Sequence, residues 1–153
     1  YFTLVCLIFF KMQISFLTRH RFVFGDLETW IIWGNIALSH QYYLSKAAED
    51  NLISSPITLK SYYSDVTEVK VKRGINASSI ADISKIPRAT VIRKLRWLEK
   101  NNIIKKNKNL EYHMKKGGIL NKKISENFLI NQHSVAEFLA EFFDLIKNSK
   151  FRI

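Results

Sequence analysis

Within residues 79 to 114, the spacing of the apolar residues changes from that of a helix to that of a β-hairpin, with no long loop in between. This change restricts the folds that the chain can adopt. The first part has apolar side chains at i, i+4 and i+7, the spacing of one helical face. These side chains are Val91, Leu95 and Leu98. Ahead of them, Pro87 cannot continue an earlier helix, but its fixed φ suits the first turn of the next one. The spacing therefore predicts two helices separated by a tight turn.

The shorter of the two predicted helices begins at Ser79. Ser79 and Asp82 stand three residues apart and form a variant capping box, whose side chains can satisfy the N–H groups at a helix start. An apolar side of this helix can pack against the longer one. It consists of Ile80, Ala81 and Ile83.

The segment after the longer helix has the pattern of a β-hairpin. Two short runs, 103–106 and 110–114, flank an Asn-Lys-Asn sequence. The residue before the first run is Asn102, and Asn is the best residue after glycine in the left-handed backbone conformation. Three lysines lie at the tip of this hairpin and are predicted to reach phosphate groups. They are Lys105, Lys106 and Lys108.

The face of the longer helix opposite its apolar stripe is basic. At 100° per residue, the residues on this face, beside it or at its N-terminal end are Arg88, Ala89, Thr90, Arg93, Arg96 and Lys100. A helix-turn-helix protein places such a face in the major groove of DNA. Arginine can donate two hydrogen bonds to guanine, and threonine can contact a thymine methyl group or a phosphate. The pattern therefore predicts a DNA-reading helix.

This arrangement resembles the winged helix-turn-helix domain of bacterial transcription regulators of the MarR, IclR and Crp/Fnr type. The matching residues are Pro87, Arg88, Thr90, Val91, Arg93, Leu95, Leu98, Glu99, Ile103 and Ile104. Asn102 stands where those families usually have glycine. The resemblance covers only this part of the chain and does not choose one family. It implies that Arg88, Thr90 and Arg93 read bases, and that the lysines of the hairpin, the wing, contact the DNA backbone.

The excess positive charge of the chain is confined to the same region. Residues 70 to 123 hold 16 of the 24 Lys and Arg residues but only three of the 13 acids, so this segment carries +13 and the remainder −2. With a pI near 9.8, charge confined to the reading element is typical of nucleic-acid binding. It argues against two alternatives, a winged helix that binds only protein and a basic face that is merely solvated.

The chain is predicted to be mainly α-helical with a small β-hairpin, in three parts. They are an N-terminal helical segment at 1–55, a winged helix-turn-helix at 56–120 and a C-terminal amphipathic helix at 121–153. The first helix of the winged domain is expected within 57–72, with a short strand at 67–71 as the alternative. Residues 45–56 are polar, end in Ser-Ser-Pro and are predicted to form the hinge between the first two parts.

The N-terminal part predicts two helices with large apolar faces. Apolar residues at 2, 5, 9, 12 and 16 alternate spacings of three and four, which is typical of a packed helical seam. No charge-free stretch approaches the roughly 20 residues of a membrane-spanning helix, so we expect a helix–helix interface and no membrane partner. Asp26 is the predicted N-cap of the second helix. Trp30 and Trp33 are interpreted as core or dimer contacts, with a ligand pocket as the alternative.

The C-terminal helix is predicted to start at a capping box, Ser134 to Glu137. Its apolar stripe includes Phe138 and Phe142 and is too large to remain in water. With the N-terminal helices it predicts a homodimer, held by the helices around 2–16, 27–44 and 135–146. The likeness to MarR-type regulators, which dimerise through helices from both termini, implies the same arrangement, and a twofold dimer implies a palindromic DNA site.

No pattern of catalytic or metal-ligating residues stands out, so we expect neither an enzyme nor a cofactor. The four histidines are scattered, and Cys6, the only cysteine, is interpreted as a small buried residue rather than a redox sensor. The first residue is Tyr1, and no signal-peptide flanks surround the apolar run that follows, which favours a fragment of a longer chain.

The function predicted from these patterns is a cytoplasmic, sequence-specific transcription regulator that binds double-stranded DNA. Such a regulator can also bind a small-molecule effector. The alternative is an adaptor that binds DNA or protein without regulating transcription, for example a replication or partition accessory factor.

Overall fold

The computed structural model describes residues 2–50, 73–115 and 119–148, which are mainly helical with a small three-stranded antiparallel sheet. The chain begins with helices α1 (Phe2–Phe24) and α2 (Leu27–Glu49). The middle range contains, in order, β1 (Ile75–Asn76), α3 (Ala77–Ser84), α4 (Arg88–Lys100), β2 (Ile104–Lys106) and β3 (Glu111–Met114). A long helix, α5 (Ile119–Asn148), ends the described part. None of the described helices is both long enough and apolar enough to cross a membrane.

The corner between α1 and α2 is built from a glycine and a capping aspartate. Gly25 has φ +82°, a conformation that glycine adopts without steric cost, and its N–H donates to the carbonyl of Arg21 at 2.8 Å. One carboxylate oxygen of Asp26 accepts hydrogen bonds from the N–H and the hydroxyl of Thr29, both at 2.8 Å. The prediction that Asp26 caps the second helix is therefore confirmed.

Helix α3 begins earlier than the sequence predicts. The side-chain oxygen of Asn76 accepts from the backbone N–H of Ser79 at 2.9 Å, so Asn76 is the N-cap. The predicted start at Ser79 is wrong, because Ser79 supplies one of the N–H groups that the cap satisfies, and Asn serves as well as Ser at this position. The helix ends at Ser84, and its C-cap residue, Lys85, has φ +60°. Pro87 is the N-cap residue of α4, one position before the predicted first turn.

A single apolar core joins α2 to α3, α4 and the sheet. The predicted stripe of α4 is fully buried, which confirms it. The buried side chains of this cluster are Phe24, Ile32, Trp33, Ile36, Ala37, Ile80, Val91, Leu95, Leu98, Ile103, Ile104, Tyr112, Met114 and Ile124. Each large apolar side chain contributes about 1.5–3 kcal/mol when fully buried. Trp33 is therefore a core residue, which agrees with the interpretation of this tryptophan as a core or dimer contact.

Helix α2 packs against α3 and α4. The segment 57–72, in which the first helix of the winged domain is predicted, lies outside the described residues, as do residues 51–56 of the predicted hinge. Residues 45–49 of that hinge belong to α2, so the hinge prediction is wrong there. The division at residue 55 stays a prediction. What the structure adds is that the N-terminal range contributes directly to the core beneath α4.

The sheet has the strand order β1-β3-β2, with both neighbours antiparallel to β3. Ile75 pairs with Tyr112, and Ile104 pairs with Met114. The predicted hairpin is the β2–β3 pair. Asn102, just before it, has φ +57°, as expected for an Asn that replaces a left-handed glycine.

Helix α5 packs along α1 and is continuous through the point where a helix start was predicted. Ser134 lies in the interior of α5, where its hydroxyl donates to the carbonyl of Ile130 at 3.1 Å and accepts from Arg19 of α1 at 3.1 Å. The predicted capping box at Ser134 is therefore wrong. Burial of Ile124 in the core holds the upstream part of the helix in place, and local spacing alone does not reveal this. Phe138 contacts Phe9 of the same chain, with ring centroids 5.9 Å apart.

A small polar cluster ties α1 to α5 beside α2. Arg19 Nε donates to Asn131 Oδ1 at 2.7 Å, which leaves the Asn131 amide nitrogen facing His20 Nε2 at 3.4 Å. His20 Nε2 must accept there, while Nδ1 lies 2.8 Å from the Phe16 carbonyl and donates to it. Burial lowers the pKa of His20, consistent with this neutral tautomer. The His20 ring also lies 4.5 Å from that of Trp30.

The close approach of Gly74 to strand β3 predicts a destabilising substitution. A Cβ at Gly74 would lie 2.6 Å from the Tyr112 carbonyl oxygen and 2.7 Å from the His113 ring. Since the backbone of β3 cannot move aside cheaply, Gly74→Ala should lower the free energy of unfolding by about 1–3 kcal/mol in urea titrations. Gly34→Ala is the matched control, because a Cβ at Gly34 meets nothing within 4 Å. It should raise stability by about 0.5–1 kcal/mol. Equal effects of the two substitutions would contradict the close approach.

Candidate nucleic-acid interface

Helix α4 buries its apolar stripe and presents its cationic face to solvent. The predicted reading residues Arg88, Ala89, Arg93, Arg96 and Lys100 are all exposed, and Thr90 at the edge of the face is half-buried. Among the ion pairs of the described residues, none involves Arg93 or Glu99. The predicted α4 residues are thus exposed or half-buried on one helix, and Arg93 lies by its helical position at the centre of the face opposite the buried stripe.

The hairpin follows α4 directly and presents three further cations. Lys105 and Lys106 lie on β2, Lys108 lies in the connecting turn, and all three are exposed. The Lys106 ammonium lies 5.7 Å from the ring centroid of Tyr112, a contact that favours one position of this long side chain. The hairpin is anchored beneath by Ile104, which is fully buried.

The turn of the hairpin is held by the side chain of Asn107. Its oxygen accepts from the N–H groups of Asn109 and Glu111, both at 2.9 Å, and its nitrogen donates to the Glu111 carboxylate at 2.9 Å. The same amide nitrogen lies 3.1 Å from His113 Nε2, which must therefore accept. The Gly74 N–H donates to the Glu111 carboxylate at 3.3 Å. The three lysines are thus mounted on a turn with a defined conformation.

The ionisation of this network follows from its hydrogen bonds. The donors on Asn107 and on the Gly74 backbone hold the pKa of Glu111 below its ordinary value. Burial lowers the pKa of His113, against the attraction of the Glu111 carboxylate. At neutral pH the base of the hairpin therefore contains one carboxylate and one neutral imidazole, and the exposed lysines keep the tip strongly positive.

One cation of α4 turns inward. The side chain of Lys94 is only 11% exposed, and its ammonium donates to the carboxylate of Asp26, which is 43% exposed. Partial burial opposes ionisation of Asp26, but the hydrogen bonds from Lys94 and from Thr29 outweigh it and lower the pKa of this carboxyl. The residue that caps α2 therefore also fixes the middle of α4.

Several residues of this surface are missing from the prediction. Trp97 is 38% exposed on α4, and Lys85, Arg73 and Lys115 are exposed around the helix and the hairpin. A helical wheel could have found Trp97, because it lies four residues after Arg93 and therefore beside it. No local signal marks Lys115, whose ammonium donates to the Asn102 side chain at 2.7 Å across the base of the hairpin.

Other parts of the described structure offer less chemistry. A groove of about 170 Å³ lies between α1 and α5, lined by Ile8, Lys11, Met12, Ser15, Ser134, Glu137, Phe138 and Glu141. Within the described ranges, no group of three or more His, Cys, Asp or Glu side chains is placed to hold a metal ion. Cys6 is a half-buried free thiol.

Comparisons of the chain with protein-family models, with curated proteins and with solved structures gave no match. The functional interpretation therefore rests on the residues and the geometry described above.

The Asp26–Lys94 pair predicts a stability difference that depends on pH. Asp26→Asn keeps a capping oxygen for α2 but leaves the Lys94 ammonium without its carboxylate. We expect a loss of about 1–3 kcal/mol in the free energy of unfolding at neutral pH. Because the folded pKa of Asp26 is lowered, its contribution exists above the ordinary carboxyl pKa and disappears as the pH falls through the folded value. Urea unfolding of both proteins over a pH series, from neutral pH downwards through the ordinary carboxyl range, measures this difference.

The control for this pair is the background Lys94→Met. In that background Asp26→Asn should have almost no effect, since the partner is already gone. A full-sized loss in the absence of Lys94 would show that the negative charge of Asp26 acts on the N-terminus of α2 and not through Lys94.

Proposed function

We propose that this chain is a sequence-specific DNA-binding transcription regulator that uses a winged helix-turn-helix. In this proposal α3 and α4 form the helix-turn-helix, α4 enters the major groove, and the β2–β3 hairpin is the wing. The observation that carries the proposal is the outer face of α4, where Arg93 and its neighbours are exposed while the opposite stripe is fully buried. A helix anchored in this way can insert a cationic face into a groove without rearrangement.

The distribution of charge supports DNA as the partner of this face. Of the 11 Lys and Arg side chains in 73–115, all except Lys94 are exposed, and only three acids accompany them. Such a surface gains affinity for any duplex by releasing condensed counterions. A surface that binds only protein gains no such counterion release, so it does not by itself explain why the exposed cations are concentrated around one helix and one hairpin.

The cations of this surface have different proposed roles. Arg93 lies at the centre of the exposed face, and the small side chain of Ala89 one turn earlier lets the helix approach the bases closely. Arg88 and Arg96 lie nearer the edges, where phosphate oxygens are the commoner partners. The lysines of the wing lie outside the groove and contact the backbone.

We also propose that the chain forms a homodimer through α1 and α5. Large apolar side chains on the outer surfaces of these helices remain exposed: Leu4, Leu7, Phe10, Ile14 and Phe22 on α1, and Leu129, Ile130, Val135, Leu139, Phe143 and Ile146 on α5. Monomeric proteins rarely expose apolar patches of this extent. Helix α2 divides its apolar residues between the two roles, because Ile32 and Ile36 are buried in the core of its own chain while Ile31 and Leu38 are exposed.

The role of Arg93 can be separated from general attraction to DNA. Arg93→Ala should weaken binding to a duplex selected from a random pool by about 1–3 kcal/mol and relax the preference at one base pair, most simply a G·C pair. Binding to random duplexes should change little. Affinities for a library of single-base changes in the selected duplex provide the measurement. A uniform loss across all sequences would instead assign Arg93 to a phosphate.

The wing lysines should behave in the opposite way. Replacement of Lys105, Lys106 and Lys108 by Ala should weaken binding to all sequences alike. The slope of the logarithm of affinity against the logarithm of salt concentration should fall by up to about 0.9 for each phosphate that the wing no longer neutralises.

A charge-matched control removes three exposed lysines from α5: Lys122, Lys123 and Lys147. If both triple variants change the salt slope equally, net charge explains the effect and the wing does not touch DNA. If the unmodified chain binds no duplex, the regulator proposal fails and a protein-binding adaptor becomes the better explanation.

The dimer proposal predicts a change of oligomeric state. Leu7 and Ile14 are exposed on α1, so Leu7→Glu with Ile14→Glu should give a folded monomer in sedimentation experiments. Phe138→Asp is the contrasting variant. Phe138 contacts Phe9 within the chain, so Phe138→Asp should lower the unfolding temperature, in contrast to the two glutamate substitutions on the exposed face of α1. A monomeric unmodified chain, or a dimer that survives both glutamates, would refute this interface.

A further inference from the structure

Trp97 is the one large apolar side chain on the outer face of α4. Its indole is 38% exposed, whereas the other exposed positions of the helix carry charged side chains or the single methyl group of Ala89. A tryptophan in this position exposes apolar surface to water in the free protein, and a binding partner can cover it. A partner that binds the surrounding cations and also covers Trp97 would offer an apolar group among its hydrogen-bond acceptors.

The position of Trp97 divides the reading face into two edges. Trp97 follows Arg93 by four residues and Thr90 by seven, so the three side chains form one row along the helix. Arg96 lies on the other side of Arg93. One edge of the face is thus cationic, and the other offers an indole ring and the methyl group of a half-buried threonine.

The helix is regular at Trp97, so the backbone from which the indole side chain extends is well defined. The carbonyl of Trp97 accepts from both the backbone N–H of Asn101 at 3.0 Å and the Asn101 side-chain amide at 2.8 Å. These bonds close the last turn of α4. The side chain is therefore presented by regular helix rather than by a loop.

We infer that Trp97 is a specificity-determining residue that packs against the 5-methyl group of a thymine in the major groove. This inference rests on the proposed function. The thymine methyl is the apolar group that base edges offer in the major groove, and apolar side chains contact it there. Because Arg93 lies beside Trp97, the A·T pair that Trp97 contacts is adjacent to the base pair that Arg93 contacts.

Removal of the methyl group alone tests the contact. The probe is a duplex selected from a random pool by the unmodified chain, compared with the same duplex synthesised with deoxyuridine in place of single thymines. At one or two positions the substitution should weaken binding about fourfold, the change expected for about 0.8 kcal/mol of methyl burial. Trp97→Ala should bind the thymine and uracil duplexes equally.

Two further variants separate contact from structure. Trp97→Phe keeps an apolar ring and should retain part of the methyl effect. Arg93→Ala should bind more weakly but keep the full ratio between the thymine and uracil duplexes. Thermal unfolding of all three variants identifies any loss of folded protein, which would lower the active concentration without changing that ratio.

The outcomes distinguish this inference from the proposal beneath it. Absence of binding to any duplex removes the proposed function and the role of Trp97 together. If the chain binds a selected duplex specifically but has the same affinity for its thymine and uracil forms, only the role of Trp97 is overturned. A methyl effect that persists in Trp97→Ala assigns the contact to another side chain, such as Thr90, and also overturns it.

Discussion

The packing of α2 against α4 is the constraint on which the rest of this structure depends. Leu95 and Ile36 are buried in the same core, and every side chain on the opposite side of α4 is oriented by that burial. Close-packed side chains do not permit a small rotation of the helix, because a rotation would open voids in the core. The exposed face therefore has a definite composition, and Arg93 lies at its centre for the same reason that Leu95 lies inside.

The inward position of Lys94 shows how electrostatics add to this packing. A lysine so near the core needs a partner, and Asp26 supplies one from the start of α2. Desolvation, mainly of Lys94, opposes the pair, so its net contribution to stability is smaller than the loss expected when Asp26 alone is neutralised and the Lys94 ammonium is left without its partner. The pair ties the α1–α2 corner to the middle of α4. Any movement of that corner would reach the proposed DNA-binding face through this link as well as through the core.

Local patterns predicted much of this fold, and their failures have tertiary causes. The stripe of Val91, Leu95 and Leu98 and the left-handed Asn102 follow from spacing and backbone preference, and the structure has both. The capping boxes fail because many Ser-x-x-acid sequences lie inside helices. Ser134 is one of them, and contacts with α1 continue the helix past it. The Asp26–Lys94 pair joins residues 68 positions apart, and no local pattern reveals such a partner.

The proposed reading and dimer surfaces lie on different elements, and this separation limits how a dimer could bind DNA. The exposed apolar residues of the proposed dimer surface belong to α1 and α5, whereas many of the exposed cations lie on α4 and the hairpin. Pairing through α1 and α5 would leave α4 of each copy uncovered. A twofold axis through that pairing would set the distance between the two α4 helices, and hence the spacing of half-sites. Since α5 packs on α1, and α1 leads through Gly25 directly into α2, the half-site spacing would depend on the same α1–α2 corner that positions Lys94.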